Sequence, residues 1–497
     1  MSNVSSTIKS IQDIMRKDVG VDGDAQRLSQ LVWMFFLKIY DDREAEIELL
    51  EDNYKSPLPE EFRWRNWAAD PEGRTGEELS EFVARLFETL KNGLKLTGKQ
   101  GKRATVIRNV FEDAYNYMKS GTLMRQVINK ICEINFNNTQ DRHTFGGIYE
   151  QLLKDLQSAG NAGEFYTPRA VTQFIINQID PKLEETVLDP ACGTGGFLSC
   201  TIDYKRENYG KKNAADEEIL VNSIHGVEKK ALPHMLCTTN MILHGIDTPT
   251  QIEHSNMLSR RPYKDYGEKD RVDIIVTNPP FGGMEEDGVE NQFPANFRTR
   301  ETADLFMALV IKLLKKGGRA AVVLPDGFMF GEGMKTRLKE HLLTECNLHT
   351  VVRLPNSVFA PYTGIKTNIL FFEKGTPTKE VWYYEVPLPE GIKAFNKTKP
   401  MKLDDFATCA DWWGEGKKQS VKAKRKNRVE NEQAWKISLE DILARNYNLD
   451  IKNPHVGEQI SHDPDELLAI YAQQQQKIQG LRDQLKSILS AALEGKN

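Results

Sequence analysis

Val272-Asp-Ile-Ile-Val-Thr277 leads directly into Asn278-Pro-Pro-Phe281, and this passage decides the fold. The Ile- and Val-rich run has the length and composition of a short buried strand. Two prolines in succession then end it, since neither can donate a backbone hydrogen bond and the residue before each is disfavoured from helix. Working outward, comparable runs occur at Glu185-Thr-Val-Leu-Asp189, Ile224-His-Gly-Val-Glu228, from Ile252, at Ala320-Ala-Val-Val-Leu324 and at Leu348-His-Thr-Val-Val-Arg-Leu354. Helix-length amphipathic segments separate them. The alternation predicts an α/β fold in which parallel strands form one sheet with crossover helices on both faces. Lys366-Thr-Asn-Ile-Leu-Phe-Phe372 follows after only a loop holding Pro355, Pro361 and Gly364. No crossover helix fits there, so this final strand is expected to pair antiparallel.

The flanks read differently. Upstream, Leu28, Leu31, Val32, Phe35, Phe36 and Ile39 recur at helix spacing, as do Phe82, Leu86, Phe87 and Leu90. Residues 1–145 are therefore expected to be a helical domain, with Trp33, Trp64 and Trp67 in its core and a loop bounded by Pro57 and Pro59. After about residue 375 the strand pattern weakens. Residues 417–428 carry seven positive charges and no acid, which reads as a surface segment able to meet phosphate. From Asp465 the chain is helical and glutamine-rich, and Leu467, Tyr471, Gln474, Ile478, Leu481, Leu485 and Ile488 follow alternating four- and three-residue steps. Such a seam must be buried against the chain's own domains or a partner's helix. The expected organisation is thus a helical domain (1–145), a central α/β domain (146–455) and a helical tail for assembly (456–497).

Composition narrows the class. With 39% hydrophobic and 28% charged residues among 497, the chain is globular. Its longest apolar run, Leu31 to Leu37, is too short to cross a membrane, and its start lacks an apolar leader, so a cytoplasmic location is expected. Six cysteines without a Cys-x-x-Cys pair or zinc spacing point to reduced thiols and no metal site. A net charge of −5 requires any basic nucleic-acid surface to be local or to come from another subunit.

Three strand exits carry the chemistry. Asp189-Pro-Ala-Cys-Gly-Thr-Gly-Gly196 ends the first strand and opens a helix, where glycines admit close backbone approach and a helix N-terminus offers N–H groups. It is not the dinucleotide fingerprint, because Leu198 stands where the third glycine belongs. Glu228 ends the second strand, where nucleotide-binding sheets place a carboxylate for ribose hydroxyls. At the fourth, Asn278 supplies a side-chain carbonyl, the prolines hold a backbone carbonyl rigid, and Phe281 gives a flat apolar face. Acceptors aimed at the two hydrogens of an aromatic amine would favour a pyramidal nitrogen and direct its lone pair at an electrophile.

On these motifs the chain resembles the gamma-order, amino-group DNA methyltransferases that use S-adenosyl-L-methionine, on the class I (Rossmann-like) fold. More narrowly, it is similar to the modification subunits of type I restriction-modification systems. Gly163-Glu-Phe-Tyr-Thr-Pro-Arg169 matches the family's motif upstream of the sheet, although members commonly carry Gln where Glu164 stands. Gly318 to Asp326 and Gly364 to Phe372 match later strands. The resemblance implies that Glu164, Phe165, Tyr166, Thr167, Pro168 and Arg169, with Asp189, Thr194, Gly195 and Gly196, hold the cofactor, and that Glu228 holds its ribose. Asn278, Pro279, Pro280 and Phe281 would then act on an adenine flipped out of duplex DNA. It further implies a separate specificity subunit, two modification subunits for each, and a restriction subunit that translocates and cuts.

Other chemistries fit less well. A cytosine C5-methyltransferase needs a nucleophilic cysteine, normally after proline, and none of the six follows one. N4-cytosine enzymes usually carry Ser in place of Asn278, and glutamine N5-methyltransferases usually Tyr in place of Phe281. An inactive methyltransferase-fold scaffold remains a different class. Finally, Gly282, Gly283 and Gly288 predict a loop from Gly282 to Thr302 that is loose until DNA binds, with Arg298 and Arg300 placed for phosphate.

Overall fold

In the computed structural model the β-rich runs assemble into one nine-stranded sheet, with order β3-β2-β1-β4-β5-β7-β6-β8-β9. The structure describes residues 2–98, 100–134, 136, 166–210, 213–360, 363–396, 398–414, 425, 428–455, 471 and 475–486. The chain divides into two units, Met1–Ile451 and Lys452–Asn497.

In the first unit, helices α1 (Ser2–Met15), α2 (Asp24–Leu50), α3 (Trp64–Trp67), α4 (Gly76–Glu88), α5 (Gly101–Phe111) and α6 (Gly121–Cys132) precede the sheet. Helix α7 (Arg169–Ile179) leads into β1 (Val187–Asp189), α8 (Gly196–Asn208), α9 (Ala214–Asn222) and β2 (Ile224–Glu228). Then come α10 (Ala231–Leu243), β3 (Ile252–His254), β4 (Val272–Thr277), α11 (Thr302–Leu313) and β5 (Leu314–Pro325). β1 to β5 pair parallel, and β6 (Cys346–Arg353) is separated from β5 by β7 (Thr367–Lys374), which is antiparallel to both, as the missing crossover helix requires.

The sheet is buried on both faces, and its side chains alternate between two cores. Ala320, Val322 and Leu324 of β5 join one core with Leu305, Met307 and Leu309 of α11, whereas Ala321 and Val323 join the other with Phe174 and Ile175 of α7. This two-sided burial is why the strands read as continuous apolar runs.

β7 is not the last strand. β8 (Glu380–Glu385) pairs parallel with β6, and β9 (Ala434–Ser438) pairs antiparallel with β8. Glu380-Val-Trp-Tyr-Tyr-Glu385 is strand-forming through its aromatic residues, with Tyr383 packing into one core and Tyr384 into the other.

The aromatic residues of the first 134 positions form their own core, with Trp33, Phe35, Phe36, Phe82 and Phe111 almost wholly buried. That core does not stop at the sheet domain, because Met235, Leu236 and Ile242 of α10 belong to it. No described helix is long and apolar enough to cross a membrane. In the second unit, residues 475–486 are helical and Tyr471, Ile478, Leu481 and Leu485 are exposed, while Leu467, Gln474 and Ile488 lie outside the described residues. Of the basic run 417–428, only Arg425 and Arg428 are described. Arg425 pairs with Glu373 at 3.2 Å; Arg428 is buried, bonds Thr350 Oγ1 at 2.6 Å and lies over the Trp412 and Trp413 rings. Both are drawn inward beside the strands, with Arg428 held by its aromatic neighbours.

Candidate active site

The exits of β1, β2 and β4 lie side by side, because β1 pairs with both β2 and β4. Beyond β1 the chain turns through Gly193 and Gly195, whose φ angles of +52° and +80° are ones that side-chain-bearing residues rarely adopt. A Cβ on Gly195 would lie 2.8 Å from Cys237 Sγ, so that glycine is required by packing against α10. A Cβ on Gly193 would meet nothing within 4 Å, so the backbone there faces open space. Gly196 then begins α8, a 13-residue helix whose N-terminal end points its dipole at the loop.

Glu228 ties this loop to the end of β2. Its Oε2 accepts from the Gly193 N–H at 2.9 Å and its Oε1 from the Lys230 N–H at 2.7 Å. One carboxylate thus braces the loop and caps the approach to α10. Asp189 is buried beneath it, and burial pushes its carboxyl up to about 7, although Oδ1 accepts from the Ala191 N–H at 3.2 Å. The Thr194 carbonyl accepts from Asn240 Nδ2 of α10 at 3.2 Å, fixing the loop from a third side. A bare glycine backbone, a helix N-terminus and an adjacent carboxylate suit a ligand that carries both a charged end and hydroxyl groups.

At the β4 exit, Asn278 donates from Nδ2 to Thr167 Oγ1 at 2.9 Å. Its Oδ1 is buried and has no hydrogen-bond partner among the described residues. A buried acceptor without a donor is costly, and it marks a place where a donor is expected to arrive. Pro279 is buried, and Phe281 is 3% exposed, with its ring 6.3 Å from that of Phe359 at an interplanar angle of 88°.

The segment from Gly282 to Thr302 is pinned rather than loose. Thr302 N–H donates to the Gly283 carbonyl at 3.2 Å and Glu285 N–H to the Arg300 carbonyl at 2.9 Å. The buried Glu285 carboxylate accepts from Lys229 Nζ and Asn256 Nδ2, each at 3.1 Å. Arg300 is engaged by the Glu285 carbonyl and by Asp287, and Val289, Phe293 and Phe297 are buried in the core that includes Phe281. The glycines give this segment its turns, but its aromatic side chains anchor it.

The upstream motif is divided. Glu164 and Phe165 lie outside the described residues. Tyr166 packs in the helical core, Pro168 precedes α7 in extended conformation, and Arg169 bonds Ser199 Oγ at 3.1 Å and Asp203 at 2.9 Å, both on α8. Among the described residues of this motif, Thr167 is the one that reaches Asn278.

Family models agree with the geometry. Residues 140–463 match the model described as N-6 DNA Methylase, and residues 4–131 match the HsdM N-terminal domain. The EcoEI type I restriction enzyme methylase subunit of Escherichia coli is 61% identical over 494 residues, covering 99% of each chain. This chain belongs to the type I restriction enzyme methylase subunits. Two solved structures are similar to this methylase subunit along nearly all their length. A modification subunit from Vibrio vulnificus YJ016 is 41% identical with a TM-score of 0.79, over 93% of this chain and 98% of the other. A chain from a study of type I R-M complex assembly and conformational transition is 34% identical with a TM-score of 0.78, over 99% of each.

In the methylase subunit, sequence reading alone missed Asn256 and Glu285. Asn256 lies two residues past the end of β3, at the strand exit next to that of β2, so its position was the available signal. Glu285 stood in the acidic run Glu285-Glu-Asp287, where nothing distinguished the one buried carboxylate from its two exposed neighbours.

Proposed function

We propose that this methylase subunit transfers a methyl group from S-adenosyl-L-methionine to N6 of adenine in double-stranded DNA. The observation that carries this reading is the amide of Asn278, held at its nitrogen end by Thr167, with a buried oxygen that has no partner among the described residues. The loop fits the cofactor: Gly193 is bare, α8 begins at Gly196, and the Glu228 carboxylate at the end of β2 suits ribose hydroxyls. When bound, the cofactor supplies an electrophilic methyl on its sulfonium.

The chain's own residues handle the nucleophile. Asn278 Oδ1 and the Pro279 carbonyl accept the two amine hydrogens of the flipped base, which removes the lone pair from ring conjugation. Phe281 stacks against the base and fixes its plane. Because Phe281 and Asn278 Oδ1 are covered, the base enters only when neighbouring side chains move aside.

Site choice is the work of a partner. The subunit works in the cytoplasm in a complex of two modification subunits with one specificity subunit, to which a restriction subunit adds. The exposed side chains of Tyr471, Ile478, Leu481 and Leu485 support docking of the tail on that specificity subunit. Methylation at the recognised site protects host DNA from the restriction subunit.

Co-expression with the specificity subunit, followed by long-read methylome sequencing and nucleoside mass spectrometry, tests the reading. N6-methyladenine at one sequence motif is expected. N4-methylcytosine, or no modification beside intact cofactor binding, overturns it.

A further inference from the structure

We propose that Thr167 is a positioning residue for methyl transfer, acting through the side-chain amide of Asn278 rather than through the cofactor. The inference rests on the adenine N6 reading above and deepens it. An asparagine amide has two ends of similar size and opposite hydrogen-bonding character. Only the oxygen end can accept from the target amine; the nitrogen end would oppose donor with donor. The useful orientation therefore requires that the N–H end be satisfied elsewhere, and Thr167 Oγ1 stands 2.9 Å from Asn278 Nδ2 as its acceptor. Oδ1, at the other end of the same amide, is buried without a partner among the described residues.

The placement has a structural origin. Thr167 sits two residues before α7, between Tyr166, which is buried in the helical core, and Pro168, which fixes the backbone entering that helix. Arg169 then ties α7 to α8 through Ser199 and Asp203. The hydroxyl is thus held from both sides and brought to the β4 exit from 111 positions earlier in the sequence. Without it, the N–H end would be left unsatisfied, and rotation of the amide would take the acceptor away from the base.

The test uses the full chain assembled with its specificity subunit and duplex DNA, comparing Thr167→Val and Thr167→Ser. Valine keeps the branched shape and removes the acceptor; serine keeps the hydroxyl. The expectation is that Thr167→Val lowers kcat about ten- to a hundredfold while the cofactor Kd, measured by calorimetry, changes less than about twofold. Thr167→Ser should recover most of the loss. An unchanged kcat in Thr167→Val overturns the inference, as does a loss that appears in the cofactor Kd, which would make Thr167 a cofactor contact. Equal losses in both variants overturn it too, because they assign the effect to packing. An active Asn278→Ala enzyme, measured in parallel, would instead sink the underlying reading, so the two failures are distinguishable.

Discussion

The two halves of the active site are built from different materials. The half proposed for the cofactor is backbone: bare Gly193, the left-handed Gly195 and the start of α8, braced from behind by Glu228 and Asn240. The half proposed for the base is side chains: a half-buried amide whose oxygen is covered, and a buried ring that packs with Val289, Phe293 and Phe297. Backbone held by hydrogen bonds needs no rearrangement to receive a ligand. Side chains packed in a core do. The difference teaches an order of events in which the cofactor meets a ready surface and the base meets a closed one.

The sharpest way to break this contrast is Asn278→Ala. Turnover should fall about a hundredfold or more, with cofactor affinity almost unchanged, since the lost acceptor acts only on the base. Single-turnover methylation beside calorimetric cofactor titration checks both halves at once. Next comes Glu228→Ala, which removes the loop brace and, on the proposed reading, the ribose acceptor. It should weaken cofactor binding by about 1.5–3 kcal/mol, roughly ten- to a hundredfold in Kd. Turnover at saturating cofactor should hold, and a falling kcat would mean that the halves are coupled.

A smaller effect is expected from Glu285→Gln, which loses the charge facing Lys229 but keeps an acceptor for Asn256. Hydrogen exchange between Met284 and Glu301 should quicken about fivefold without DNA. Unaltered exchange would place the restraint in Val289, Phe293 and Phe297 alone. The smallest effect concerns Asp189, whose folded pKa of about 7 lies above the ordinary carboxylate value. Folding takes up a proton there, so the stability this group contributes is complete at low pH and is lost as pH rises through 7. Asp189→Asn should flatten that part of the curve, raising Tm at pH 8 relative to pH 5 by about 1–2 °C against the parent.

Most of the scaffold was legible because two-sided burial writes itself as unbroken apolar runs, and strand exits place polar residues where chemistry occurs. Asn278-Pro-Pro-Phe281 and the Gly195 loop stand at those exits. What was hidden depends on long-range contact. Nothing in local sequence pairs Thr167 with Asn278, or selects Glu285 from three adjacent acids. β8 and β9 were lost for another reason: no repeating strand–helix rhythm announces them. For the segment from Gly282 to Thr302, the glycines were visible in the sequence and the burial of Val289, Phe293 and Phe297 was not.

Helix α10 has two buried sides. Met235, Leu236 and Ile242 face the N-terminal helices, and Cys237 and Met241 sit with Cys192 and Leu198 beneath the cofactor loop. Within the first unit, the N-terminal helices and the sheet therefore meet on one helix. Exchange of parts between relatives is constrained accordingly. A chimera joining one member's N-terminal helices to another's sheet would have to inherit α10 with both neighbours at once, and no single cut supplies that. Inheritance of this subunit should thus favour whole-length replacement over shuffling.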